Sequence, residues 1–360
     1  MTTTRRLFAQ QSLAALGAGT ALAASAANGS SSGSHPSHRP ALLLPRRLQP
    51  GDTIGLVAPS HAFFEREPFE LAFEAVQAMG FKVKPGAHLR ARYGQFAGTD
   101  AQRAADVNAM FADDGVAGIL ALRGGSGCSR IVDKLDYGLI KSRPKFFGGF
   151  SDLTALTNAI HARTGLVTFH CPMGTAEWNA YSLNNFRQLV MEGEAALLRN
   201  PTPERGDALV AKNDRTRALR GGKARGHLLG GNLSVLAGLA GSRFWPDFRG
   251  AILFLEDVNE PIYKIDSCLS TLRLAGALDQ LAGVVLGGFT KCEPGEGYGS
   301  LTLDEVFDDY FVKPMNIPVY RGASFGHIKR QLTLPLGATA EIDADAGTLQ
   351  LLQPVVLTQA

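Results

Sequence analysis

The chain has 360 residues, 45% hydrophobic and 19% charged, with 36 Lys+Arg against 33 Asp+Glu and a formal charge of +3. So even a charge balance excludes the basic footprint of a nucleic-acid binder, and so much apolar content excludes wholesale disorder. At about 100–200 residues per domain, the length predicts two domains whose cores need no disulfide or metal staple.

The first 26 residues read as an address. Thr4-Arg-Arg-Leu-Phe8 is followed by an uncharged apolar and small-residue stretch from Leu13 to Ala27, with Ala24-Ser-Ala26 as a cleavage site. A basic start, an apolar middle and a small-residue end predict a secretory signal. The paired arginines followed by x-Phe resemble the twin-arginine type, with an ordinary Sec signal as the alternative. Residues 27–45 read as a flexible linker, richest in Ser, Gly, His and Pro over 28–40. No apolar run of about 18–20 residues follows residue 40, so no membrane span is expected in the body.

Strands and helices then alternate. Asp52 to Ser60 reads as a buried strand, Pro68 to Gly80 as a helix closed by glycine, and Phe81 to Lys84 as a short strand. Thr99 opens a helix with Val107, Met110 and Phe111 on one face. Gly118 to Arg123 is a strand running into Gly124-Gly-Ser-Gly127. Lys145 to Phe150 is a strand, Leu153 to Thr164 a helix, and Leu166 to Phe169 a strand. Residues 196–225 are polar and broken by Pro201, Pro203 and Gly206, which places an interdomain link there. Beyond it, helices are expected over Asn232–Gly241, Tyr263–Ala275 and Leu303–Val312. Strands are expected over Gly250–Glu256 and Ala282–Phe289, and two closing strands near 331–352. The pattern predicts an α/β protein with an N-terminal parallel-sheet domain (46–195), doubly wound like Rossmann or flavodoxin folds, and a C-terminal α/β domain (226–357).

Four candidates carry chemistry. A strand, two glycines and Ser151-Asp152 opening a helix have the shape of a nucleophile elbow, with helix-end N–H groups for an oxyanion. The same residues also suit a plain N-cap, and Leu153 stands where G-x-S-x-G has its second glycine. Gly124 to Gly127 can present N–H donors to an anion or be a simple turn. Glu256 ends an apolar strand, with Asp257 and Glu260 nearby. His327 follows a strand, and His161 and His170 are rival bases. Ser, His and Glu at strand ends can make a triad. Cys128, Cys171, Cys268 and Cys292 show no CxxC spacing, and H-E-x-x-H is absent, so no metal or cofactor is expected. Buried free thiols are the simplest reading, with bonding between Cys128 and Cys171 left open.

The blocks Ile54-Gly-Leu-Val-Ala-Pro-Ser60, Phe96-Ala-Gly-Thr-Asp100, Arg103 with Asp106 and Asn108, Arg123-Gly-Gly-Ser-Gly127 and Gly149-Phe-Ser-Asp-Leu-Thr154 run in order along the body. Gly230-Gly-Asn-Leu233, Leu255-Glu-Asp-Val-Asn-Glu260, Phe325-Gly-His327 and Leu334-Pro-Leu-Gly337 continue the series. Together they resemble the LD-carboxypeptidase family, also called murein tetrapeptide carboxypeptidases, which includes the microcin C immunity peptidases. The resemblance implies a serine peptidase with Ser151 as nucleophile, His327 as base and Glu256 as its carboxylate, sited between the two domains. It places oxyanion donors on the backbone N–H groups of Gly125 and Asp152. Gly124, Ser126, Asn232 and Glu260 become candidate substrate contacts. The implied reaction removes the terminal D-alanine of a peptidoglycan tetrapeptide through an acyl-enzyme. Ser126 departs from the tyrosine common in the family, and Leu229 from a tryptophan found in some members. A related amide hydrolase acting on a peptidyl-nucleotide antibiotic, and a silent cell-wall-peptide binding protein, are the alternatives. Export makes the periplasm the expected location, with a muropeptide as substrate partner. Because family members are often dimers, a homodimer is a further expected partner state.

Overall fold

The computed structural model describes residues 40–295 and 299–358, so the expected signal and most of the expected linker lie outside the described residues. The chain order is β1 (Thr53–Val57), α1 (Glu67–Ala78), β2 (Lys82–Pro85), α2 (Asp100–Ala112), β3 (Gly118–Ala121), α3 (Tyr137–Ser142), β4 (Phe146–Gly148), α4 (Thr154–Thr164), β5 (Thr168–His170) and α5 (Ala180–Phe186). It continues with β6 (Leu197–Arg199), β7 (Arg217–Arg220), β8 (Lys223–Asn232), α6 (Leu233–Ala237), β9 (Ala251–Val258), α7 (Ile262–Leu274) and β10 (Gly283–Thr290). It closes with α8 (Leu303–Phe307), β11 (Val319–Arg321), β12 (Leu334–Leu336), β13 (Thr339–Asp343) and β14 (Thr348–Leu351).

The first sheet runs β2-β1-β3-β4-β5-β12, with β1 to β5 parallel. This is the flavodoxin-like strand order, and it opens a crevice at the carboxyl ends of β1 and β3. Its strands are buried on both faces: Gly118–Ala121 and Phe146–Gly148 have no exposed residue. The helices start where the sequence sets them. Thr99 and Gln102 form a reciprocal capping box for α2, and α1 has Pro near its start and acidic residues in its first turn.

The second sheet runs β6-β14-β13-β8-β9-β10-β11-β7, parallel from β8 to β11 and antiparallel at both flanks. An α/β protein of two domains is therefore what the chain builds. The domains interlock: β12, from the C-terminal part of the chain, pairs antiparallel with β5 and edges the first sheet. Phe169, Phe254 and Phe325 lie in one continuous core, so apolar contact runs from one sheet to the other.

Several local expectations are corrected. Residues 196–225 are more than a link: they supply β6, β7 and the start of β8. Edge strands need few apolar residues, and only the middle residue of β6 is buried, so composition conceals them. The linker end at 40–45 is ordered. Leu43 bridges to Leu166 and bonds the backbone of Gly165 and Val167. The helix expected to reach Gly241 stops at Ala237, and the one over 303–312 widens to a π turn after Phe307. The closing region holds three strands where two were expected. Helix α5, which continues as a π turn over Arg187–Glu192, had no distinct sequence signal.

Candidate active site

Strand β4 delivers Ser151. Gly149 has φ +154°, and a Cβ there would lie 2.9 Å from Leu153 Cγ and 3.1 Å from Ala121 Cβ, so only glycine lets the turn close. Ser151 itself has φ +63°, the left-handed region that a residue bearing a Cβ rarely occupies. A 3₁₀ turn over Ser151–Leu153 then leads into α4. The strain is held in place by its surroundings, and it lifts the hydroxyl above the sheet edge, as an elbow requires. Leu153, at the position of the missing glycine, is fully buried in the core beneath.

The second domain delivers the other two groups. Glu256 lies within β9, fully buried. His327 sits on the loop after β11, behind Gly326 at φ +102°. His327 Nδ1 is 2.7 Å from Glu256 Oε2, and His327 Nε2 is 3.0 Å from Ser151 Oγ. An ionised Glu256 can only accept, so the imidazole proton belongs on Nδ1, and Nε2 is left to accept from the serine hydroxyl. The ring also lies against Phe150, tilted by 60° at 5.0 Å between centroids.

Neither rival histidine joins this line. His161 bonds the carbonyl of Leu166 and packs beneath Gly337. His170 is buried among Phe150, Phe254 and Phe325, and burial lowers its pKa to about 3, so it stays neutral.

The glycine loop after β3 lies against the serine. A Cβ on Gly124 would sit 3.0 Å from Ser151 Cβ and 3.2 Å from Oγ. A Cβ on Gly125, at φ +136°, would meet the ring of His61 at 2.3 Å. Asp152 is buried, and its carboxylate accepts from Ser60 Oγ at 2.6 Å and from the Cys128 N–H at 2.9 Å. The Ser60 hydroxyl also lies 3.2 Å from the Ser126 carbonyl oxygen, and His61 Nε2 lies 2.8 Å from Ser126 Oγ. Beneath, the buried Arg103 donates to the carbonyl oxygens of Pro59 and Gly127. Burial, with the nearby Arg123 charge, holds the His61 imidazole below its usual pKa. Ser60 and Arg103 stand in the family-like blocks but were given no role from sequence, and His61 was not singled out. A polar pair just past β1 in a parallel sheet was the signal available for the first two.

The proposed substrate contacts separate in space. A cleft of about 440 Å³ opens beside His327, lined among others by Phe150, Met173, Glu177, Trp178, Lys329 and Gln331. Gly124, Ser126, Asn232 and Glu260 do not line it. Asn232 is buried: its amide donates to Asp257 and accepts from Ser234 Oγ and the Val235 N–H, capping α6. Glu260 is half-buried on the Asp257 side, where burial first and the Asp257 charge second raise its pKa. All four cysteines are free, so Cys128 and Cys171, both buried, are not bonded to each other. Among the described residues no group of three or more His, Cys, Asp or Glu is placed to hold a metal, and no helix is long and apolar enough to cross a membrane.

A strained hydroxyl, an imidazole and a buried carboxylate in line, brought together by two α/β domains, are the parts of a peptidase. Residues 54–171 match the LD-carboxypeptidase N-terminal domain and residues 225–342 the LD-carboxypeptidase C-terminal domain. The chain belongs to the LD-carboxypeptidase family. It is 36% identical over 304 residues to the probable murein peptide carboxypeptidase of Bacillus subtilis, covering 83% of this chain and 91% of that one. It is 32% identical over 300 residues to the murein tetrapeptide carboxypeptidase of Pseudomonas aeruginosa, covering 81% and 93%. The solved structure of MccF in complex with glutamyl sulfamoyl guanosine matches at TM-score 0.77 and 27% identity, covering 88% of this chain and 100% of that one.

Proposed function

We propose that the protein is a serine LD-carboxypeptidase that releases the terminal D-alanine of peptidoglycan tetrapeptides. The carrying observation is the line from Glu256 through His327 to Ser151, 2.7 Å and 3.0 Å long, ending on a serine at φ +63°. Ser151 Oγ attacks the carbonyl carbon of the amide to D-alanine as His327 Nε2 takes its proton. The oxyanion accepts from the backbone N–H groups of Gly125, in the glycine loop, and Asp152, next to the serine. His327 then returns the proton to the departing amine of D-alanine. Water, activated by the same imidazole, opens the acyl-ester. Glu256 holds the tautomer and balances the imidazolium charge.

A murein substrate is supported by the names of the Bacillus and Pseudomonas relatives. The Arg5-Arg6 leader supports action in the periplasm, and finding mature protein only in the cytoplasm would refute that placement. A second reading, hydrolysis of an aminoacyl or peptidyl nucleotide, is supported by the likeness to MccF bound to glutamyl sulfamoyl guanosine.

The deciding experiment offers purified protein and its Ser151→Ala variant a muropeptide tetrapeptide ending in D-alanine and, separately, an aminoacyl sulfamoyl nucleoside. Release of D-alanine by the wild type alone supports the carboxypeptidase. Cleavage of the nucleoside conjugate alone supports the second reading, and turnover of neither by folded protein favours a binding role.

A further inference from the structure

A carboxypeptidase must recognise a charge as well as a bond. Counting bond lengths along the leaving residue, the terminal carboxylate lies within about 4 Å of the scissile carbonyl carbon. Of the residues lining the cleft beside His327, Lys329 is the cation and Glu177 the carboxylate. They come from opposite sides: Glu177 follows β5 of the first domain, and Lys329 stands two residues past His327 on the second.

The two pair at 3.4 Å, with side chains 82% and 63% exposed for Lys329 and Glu177. The Lys329 backbone, by contrast, is fixed, because its carbonyl oxygen accepts from Asn179 Nδ2 at 2.7 Å. Nearby, the Gln331 N–H donates to Ser182 Oγ at 2.8 Å. The ammonium is thus carried on a short, anchored stretch of loop beside the catalytic imidazole. An exposed ion pair contributes little, so exchanging Glu177 for an incoming carboxylate costs little. The other nearby cations are engaged elsewhere. Arg123 lies over the Phe63 ring and bonds the carbonyl oxygens of Ala62 and Gly124, and Arg330 pairs with Asp214 and Glu204.

We propose that Lys329 receives the terminal carboxylate of the substrate, exchanging Glu177 for it, and thereby selects acids over amides. The proposal rests on the carboxypeptidase reading above. The test compares a stem tetrapeptide ending in D-alanine with the same peptide ending in D-alaninamide, using wild type, Lys329→Gln, Lys329→Arg and Glu177→Gln. Wild type is expected to prefer the acid. Lys329→Gln should lose up to about five-fold in kcat/KM on the acid, mainly through KM and on the scale of one exposed ion pair, with the amide unchanged. Lys329→Arg should restore the preference, and Glu177→Gln should keep it. A Lys329→Gln enzyme with the wild-type acid-to-amide ratio overturns the assignment of Lys329. A wild type that cleaves neither peptide overturns the carboxypeptidase reading itself, and the two failures are distinguishable.

Discussion

Ser151 and His327 stand 176 residues apart in the chain and 3.0 Å apart in space. Each comes from a different domain, so the proposed reacting pair exists only while the two sheets stay docked. The shared aromatic core around Phe169, Phe254 and Phe325, with β12 seated on the first sheet, keeps that docking tight. A shift of about 1 Å between such groups can lower a rate about 100-fold.

Glu256 is buried and touches His327 through Nδ1. Glu256→Gln keeps the volume but removes the charge and permits the wrong imidazole tautomer. We expect kcat to fall by about 10³–10⁴ with the fold retained, read as D-alanine release beside a far-ultraviolet dichroism spectrum. Activity within ten-fold of wild type would remove Glu256 from the mechanism.

Asp152 works with both ends of its residue. Its N–H is the proposed oxyanion donor, while its carboxylate ties down Ser60 and the Cys128 N–H and so holds the glycine loop beside Ser151. Asp152→Ala keeps the N–H but frees the loop. The expected loss is about 100-fold in kcat, the size of one oxyanion donor, with little change in KM. A rise in KM at constant kcat would contradict this role.

Gly326 passes so close to the Glu256 carboxylate that a Cβ there would lie 2.7 Å from Oε2. Its φ of +102° is also costly for any other residue. Gly326→Ala should destabilise the protein by about 1–3 kcal/mol in urea unfolding and lower kcat further by displacing His327. Unchanged stability and turnover would show that the loop relaxes freely.

His170 gives a pH signature. Burial lowers its folded pKa to about 3 from the ordinary 6.5, so it is neutral in the fold while the unfolded chain takes up its proton first. Its contribution to stability is therefore complete above about pH 6.5 and is lost as the pH falls toward 3. Between pH 7 and pH 5 the loss should be about 2 kcal/mol. His170→Phe, set among Phe150, Phe254 and Phe325, should remove that share of the acid sensitivity. Equal pH slopes for variant and wild type would show that His170 is protonated without penalty.

The sequence by itself determined the local pieces of this protein. The alternation of apolar strands with capped helices marked the first sheet, because strand burial and helix capping are written in adjacent residues. Thr99 with Gln102, and the paired glycines ahead of Ser151, are of that kind. The ordered blocks pointed to the family and to Ser151, Glu256 and His327 one by one. The residue pattern without the blocks left His161 and His170 as rivals of His327, and tertiary structure shows how the choice is made: the loop behind Gly326 brings His327 Nε2 within 3.0 Å of Ser151 Oγ. It also sent Asn232 into a helix cap, brought Ser60 and Arg103 under the glycine loop, and placed Glu177 opposite Lys329. It turned the polar stretch at 196–225 into edge strands and carried β12 to the other sheet. These outcomes depend on partners far away in the chain, and a side chain's local pattern carries no record of which distant group will lie beside it.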